Sequence, residues 1–133
     1  MFSKRHEKLF RDLPSKIKIN SVVFDISVIE SDSKMLPTGP LGMLDIDSCQ
    51  ITVRLTGNIS QDINTVVHEV MHGIFYQQDI RRSPADENEK GEEDYEEPMV
   101  IGMANGFLSV FYDNEKFADW LSRAREEVIH ELC

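Results

Sequence analysis

At Gly57-Asn58 the hydrophobic period of this chain switches from two residues to between three and four. Before the switch, Ile17 and Ile19 alternate with lysines, and Val22-Val23-Phe24-Asp25-Ile26-Ser27-Val28-Ile29 is β-branched and largely alternating. Such segments suit strands with one buried face. Residues 31–40 hold Ser, Asp, Pro and Gly and read as a loop; beyond them, Met43–Ile46 and Ile51–Leu55 flank Asp47-Ser48 as a hairpin. Further upstream, Leu9, Phe10 and Leu13 sit at helical spacing, so Ser3 to Leu13 is expected as a short helix stopped by Pro14.

After the switch, Ser60 can cap a helix with Asp62 in its first turn, where an acid meets the positive end of the dipole. Ile63, Val66, Val67, Val70, Met71, Ile74 and Phe75 give that helix a core face running to about Gln78. Pro98 suits the first position of a second helix, which reaches about Tyr112. Asn114 can cap a third, striped by Phe117, Trp120, Leu121, Ala124, Val128 and Leu132. Strands first and helices afterwards predict a single α+β domain over 1–133, with helices on one face of a small, mostly antiparallel sheet. Its parts are an N-terminal helix in 1–14, a β-rich part in 17–55 and a helical part in 60–132 that includes an acidic loop at 80–97.

Composition narrows the function classes. A chain of 133 residues leaves little room for a second domain, and 41% hydrophobic against 29% charged residues argues against wholesale disorder. No apolar run approaches the ~18 residues of a membrane span, and the charged N-terminus lacks the apolar core of a secretory signal. A cytoplasmic location with no membrane partner is the expectation. Most of the formal charge of −10 comes from the run Asp86–Glu97, where Lys90 is the single base. Such a chain repels phosphate backbones, so no nucleic-acid partner is expected. Cys49 and Cys133 make neither a disulfide framework nor a thiolate metal site, and Cys49 reads as a small buried residue.

The chemistry lies in His68-Glu69-Val70-Met71-His72, the pattern His-Glu-x-x-His in the middle of the expected active-site helix. Residues four apart share one helix face, so His68 and His72 can converge on one metal ion. Glu69 lies beside that face. Zinc held by imidazole and carboxylate keeps an open position and lowers the pKa of its water towards ~7. Glu69 can then act as base while the water attacks a carbonyl, and as acid towards the leaving amine.

A third ligand is required. His6 sits at the terminus and His130 on the last helix, which leaves a carboxylate at the start of the second helix, Glu97 or Glu96. Val100, Ala104, Phe107, Leu108 and Phe111 form an apolar arc on that helix. Glu97 falls about 40° from its centre and Glu96 about 60° on the other side, which favours Glu97. Tyr76, one turn after His72, either donates to an oxyanion or packs; Asn105 either orients a ligand histidine or stays exposed. The small residues of Gly102-Met103-Ala104-Asn105-Gly106 read as a close approach of this helix to its neighbour.

These residues resemble the zincin metallopeptidases, specifically the small gluzincin-like proteins of bacteriophages and prophages related to the ImmA/IrrE metallopeptidases. The resemblance covers roughly residues 40–115. It is carried by Gly42-Met43-Leu44-Asp45, Ile51-Thr52-Val53, Val66-Val67-His68-Glu69-Val70-Met71-His72-Gly73-Ile74-Phe75 and Met103-Ala104-Asn105-Gly106-Phe107, closing with Asp113-Asn114. It implies zinc as cofactor, His68 and His72 as ligands, Glu69 as catalytic base and a glutamate at the start of the later helix as third ligand. Ile101 stands where relatives often carry another glutamate. The implied fold is a small twisted sheet whose edge strand, Ile51 to Leu55, runs beside the active-site helix and binds an extended substrate.

Two functions follow as expectations. One is a zinc-dependent metallopeptidase acting on a protein or peptide in the bacterial cytoplasm, with the acidic run favouring basic or neutral substrates. The other is a phage-encoded zinc-binding protein that engages a host factor without cutting it. An amidohydrolase of small non-peptide amides is a third and more distant reading.

Overall fold

A computed structural model of the chain describes residues 2–78 and 93–132, and for 93–96 the backbone alone. The described elements run α1 (Lys4–Arg11), β1 (Lys16–Ile19), β2 (Val22–Ile29), β3 (Gly42–Asp45), β4 (Gln50–Arg54), α2 (Ile59–Gln77), α3 (Glu93–Asp113) and α4 (Glu115–Leu132). The α+β class expected from the sequence is the one observed. The sheet is mixed, in the order β1-β2-β4-β3. β1 pairs antiparallel with β2 and β3 antiparallel with β4, but β2 and β4 run parallel. Residues 30–41 carry the chain past the place that β4 later fills, which makes β4 internal and β3 the edge. The expected edge strand at Ile51 to Leu55 is therefore corrected: Ile51 and Val53 are fully buried between two neighbours.

Alternation in the sequence decides which sheet face is covered. Ile17, Ile19, Phe24, Ile26, Ile51 and Val53 point to the helices, whereas Val23 on the opposite face stays exposed. The crossover is held by a buried cation. Arg54 donates from Nη1 to Ser31 O at 3.1 Å and from Nη2 to Leu36 O at 2.9 Å and Pro37 O at 3.2 Å. Hydrogen bonds from a charged donor contribute more than neutral ones, so Arg54→Ala is expected to cost about 2–3 kcal/mol in urea unfolding. A loss under about half a kcal/mol would show that the loop stands without it.

α1 is capped by Ser3, whose hydroxyl accepts from His6 N, and packs Leu9 and Phe10 into the core beside Trp120. His6 is not free at a terminus. It is 1% exposed, stacked between Phe2 and Phe10, and its Nε2 lies 2.7 Å from Asp62 Oδ2. α2 starts one residue before the expected cap, with Asn58 as N-cap and its side chain accepting from Gln61 N. Burial of Ile59 to 3% exposure draws that residue into the helix and the core.

α3 departs most from expectation. It begins at Glu93 with Pro98 inside it, rather than starting at Pro98; carboxylates in a first turn favour a helix start there. The rest of the expected acidic loop, from 80 to 92, lies outside the described residues. The face that packs is Met103, Gly106 and Val110, while the arc Val100, Ala104, Phe107, Leu108 and Phe111 expected to face inward is exposed. Gly106 is the reason: any β-carbon there would overlap Ile74 Cγ2, so the backbone of α3 lies directly on α2. Between α3 and α4, Asn114 donates to Lys18 O and Val110 O and accepts from Lys18 N, fixing the junction on β1. α4 then buries Phe117, Trp120 and Ala124 of its expected stripe and partly buries Leu121 and Val128, but Leu132, in the last turn, is exposed. No helix among the described residues is long and apolar enough to cross a membrane.

Candidate metal centre

The middle of α2 brings two imidazoles together. His68 Nε2 and His72 Nε2 stand 3.1 Å apart, on rings inclined at 78° with centroids 4.7 Å apart. Both rings are open to solvent, His68 with 61% of its side chain exposed. Beside them Glu69 is 5% exposed, with Oε1 4.0 Å from His68 Nε2. One potential ligand atom from each of His68, Glu69 and His72 lies within 4.8 Å of the others.

The sheet edge sets the place of Glu69. Gly42, the first residue of β3, faces the helix so closely that a β-carbon there would meet Thr65 Cγ2 at 2.9 Å, Glu69 Cγ at 3.0 Å and Glu69 Oε1 at 3.1 Å. Only a residue without a side chain lets the edge strand lie over the glutamate, and the strand then shields its carboxylate from water. Burial raises the Glu69 pKa above its ordinary 4.5, an effect that His72 and then His68 oppose by favouring the anion. A carboxylate held this way is a better base than an exposed one.

Two imidazole nitrogens held on one side, where one ring N–H donates to the other until that proton is given up to a metal, suit a tetrahedral ion. Zinc–nitrogen bonds of 2.0–2.1 Å put the nitrogens of such a site about 3.3 Å apart, close to the 3.1 Å separating the two rings. Two imidazole donors also suit zinc rather than calcium or magnesium, which take oxygen.

Glu97 is not brought to this pair. It is exposed on α3 and absent from the His68–Glu69–His72 group. Gly106 packs on Ile74 and Gln78, and Phe107, Val110 and Phe111 lie along Val67, Val70 and Met71, so α3 runs antiparallel to α2. At 1.5 Å per residue this register sets Glu97 about 16 Å along the helix axes from the level of His72. The side chain of Glu96 lies outside the described ones; its backbone position is two heptads before Val110, on the stripe that packs. Tyr76 is 55% exposed, so its packed reading is corrected. Asn105 is exposed on α3. Cys49 is half-buried in the β3–β4 turn at φ 55°, its thiol 3.6 Å from Ile46 O, rather than fully buried.

Gly42 and the His6–Asp62 pair are the elements that local pattern did not single out as shaping this helix. Comparison of the chain with protein-family models, with curated proteins and with solved structures finds no match.

Proposed function

We propose that this chain is a zinc-dependent hydrolase of peptide bonds built on a small zincin-like scaffold. The observation that carries the reading is the convergence of His68 Nε2 and His72 Nε2 at 3.1 Å beside a buried carboxylate on the same helix. His68 and His72 would hold the ion, and the family resemblance assigns the third place to Glu97 or Glu96, neither of which belongs to the His68–Glu69–His72 group formed among the described residues. When bound, the ion supplies Lewis acidity to a carbonyl oxygen and lowers the pKa of a coordinated water to ~7.

The chain's own groups do the rest. Glu69 takes a proton from the attacking water as its oxygen bonds to the carbonyl carbon. It returns that proton to the amine nitrogen as the C–N bond breaks, so acid and base are one residue. β3 supports an extended substrate, because its outer edge has no partner in the described sheet and its first residue touches Glu69. A bacterial cytoplasmic setting and a phage origin belong to this reading through the family resemblance.

Zinc titration tests it. Wild type should take up one zinc per chain, and His72→Ala should weaken that uptake by more than about 100-fold. Running Glu96→Gln and Glu97→Gln alongside identifies the third donor as the one whose loss lowers affinity. Failure of the folded wild type to take up zinc rejects the proposal.

The position of Glu97, remote from the histidines, favours a second reading. Here the scaffold binds zinc and a host protein without hydrolysis. The two separate on whether wild type cleaves a peptide library that Glu69→Gln leaves intact.

A further inference from the structure

From Pro98 to Tyr112 no side chain is charged, in a chain where 29% of residues are. α3 does not bury this stretch. Only Gly106 and Val110 in it are fully buried, and Met103 is partly so. Val100, Ile101, Phe107, Leu108, Phe111 and Tyr112 are 42–75% exposed. At about 100° per residue these six fall on one arc some 140° wide, next to the stripe that packs on α2. Polar residues, Asn105 and Ser109, occupy the remaining face. Phe107 and Phe111 stack on each other with ring centroids 6.3 Å apart, so the arc has a rigid aromatic element.

Side chains of this size carry about 150–250 Å² each, and their exposed fractions leave roughly 600 Å² of apolar surface open. That lies at the top of what monomers expose, about 300–600 Å². It also approaches the ~800 Å² that each partner contributes to a standard interface. Its composition identifies the occupant. Surfaces that meet transient partners are about as polar as the rest of a protein, whereas interfaces between identical subunits are more apolar and lack charge at their centre. One straight helical arc is also self-complementary about a two-fold axis through its middle, as a symmetric pair requires.

We infer that α3 is a homodimer interface, in which the exposed apolar arc of one copy packs antiparallel against the same arc of a second. Leu108 and Ala104 lie near the axis. Val100 and Ile101 of one copy meet Phe111 and Tyr112 of the other. Two chains of formal charge −10 repel, so the dimer tightens as salt screens that repulsion, opposite to an association held by ion pairs.

Light scattering after size exclusion, and sedimentation across a concentration series, test this on the full chain. Wild type is expected to have twice the chain mass, more completely so in high salt. Leu108→Lys adds a charge at a position exposed in the single chain and is expected to halve the mass with helical circular dichroism unchanged. Tyr112→Lys, at the rim, weakens the dimer less. A wild type of single-chain mass at about 100 µM, where a micromolar dimer is nearly saturated, overturns the inference. So does a Leu108→Lys protein that remains dimeric.

Discussion

Glu69→Gln is expected to abolish peptide hydrolysis, leave zinc uptake intact and raise the stability of the zinc-free protein at neutral pH. All three effects come from one placement: a carboxylate 5% exposed under Gly42 of the edge strand. Glutamine has the same shape and cannot accept a proton, so the rate falls by about 10²–10⁴. The histidine nitrogens are untouched, and zinc still binds. For stability, burial lifts the folded carboxyl above its ordinary 4.5. The folded protein then holds its proton more tightly than the unfolded chain does. Stability of the zinc-free wild type therefore drops as pH rises from about 4.5 through the raised folded value, and the loss is complete above it. The amide does not have this penalty, and the variant should be more stable than wild type at pH 7 but not at pH 4. Activity that survives in the variant removes Glu69 from the chemistry. An equal gain at both pH values would mean that its burial acts through packing, not charge.

The histidine pair was legible in the sequence because four-residue spacing is a local property of a helix, decided before any tertiary contact forms. The α+β class followed equally locally, from the change of period at Gly57-Asn58. What the sequence did not show depends on residues far apart. Alternation marks Ile51 and Val53 as buried, but it cannot say that their strand lies parallel to β2 with β3 outside it. The same gap hides Gly42, whose role exists only because that edge passes over Glu69. On α3 the failure has a different cause. Apolar residues occupy most of the circumference, so no hydrophobic arc is unique, and the packed side was set by Gly106 fitting Ile74 instead of by the largest side chains. A wheel centred on the larger arc pointed to Glu97; counted from the packed stripe, the same wheel points to position 96.

The pair His6–Asp62, separated by 56 positions, has no local signal, and it gives the largest expected effect on folding. Asp62 is fully buried in the first turn of α2. It accepts from Thr56 N at 2.9 Å, Thr56 Oγ1 at 2.7 Å and Gly57 N at 3.2 Å, and His6 Nε2 lies at 2.7 Å. One carboxylate thus joins the segment after β4, the start of α2 and α1. Asp62→Ala leaves those donors without their acceptor, and for His6 that happens in a site closed to water. The His6 ring already has its Nδ1 unpartnered between Phe2 and Phe10. The expected loss is about 3–5 kcal/mol, a large share of the 5–15 kcal/mol typical of a domain. Asp62→Asn keeps one oxygen for Thr56 but turns a donor on Gly57 N or His6, and should cost about half as much. His6→Phe keeps the aromatic stack and leaves Asp62 its three other donors, so its cost is the smallest of the three. If Asp62→Ala unfolds within about 1 kcal/mol of wild type in urea, the carboxylate is not what holds α1 to α2. Zinc gives an independent check on the damaged variant. A ligand that binds only the folded chain adds about 2.7 kcal/mol at a hundred times its Kd. Asp62→Ala should therefore recover much of its melting temperature in zinc, because His68 and His72 sit on later turns of α2 that the lost carboxylate does not contact.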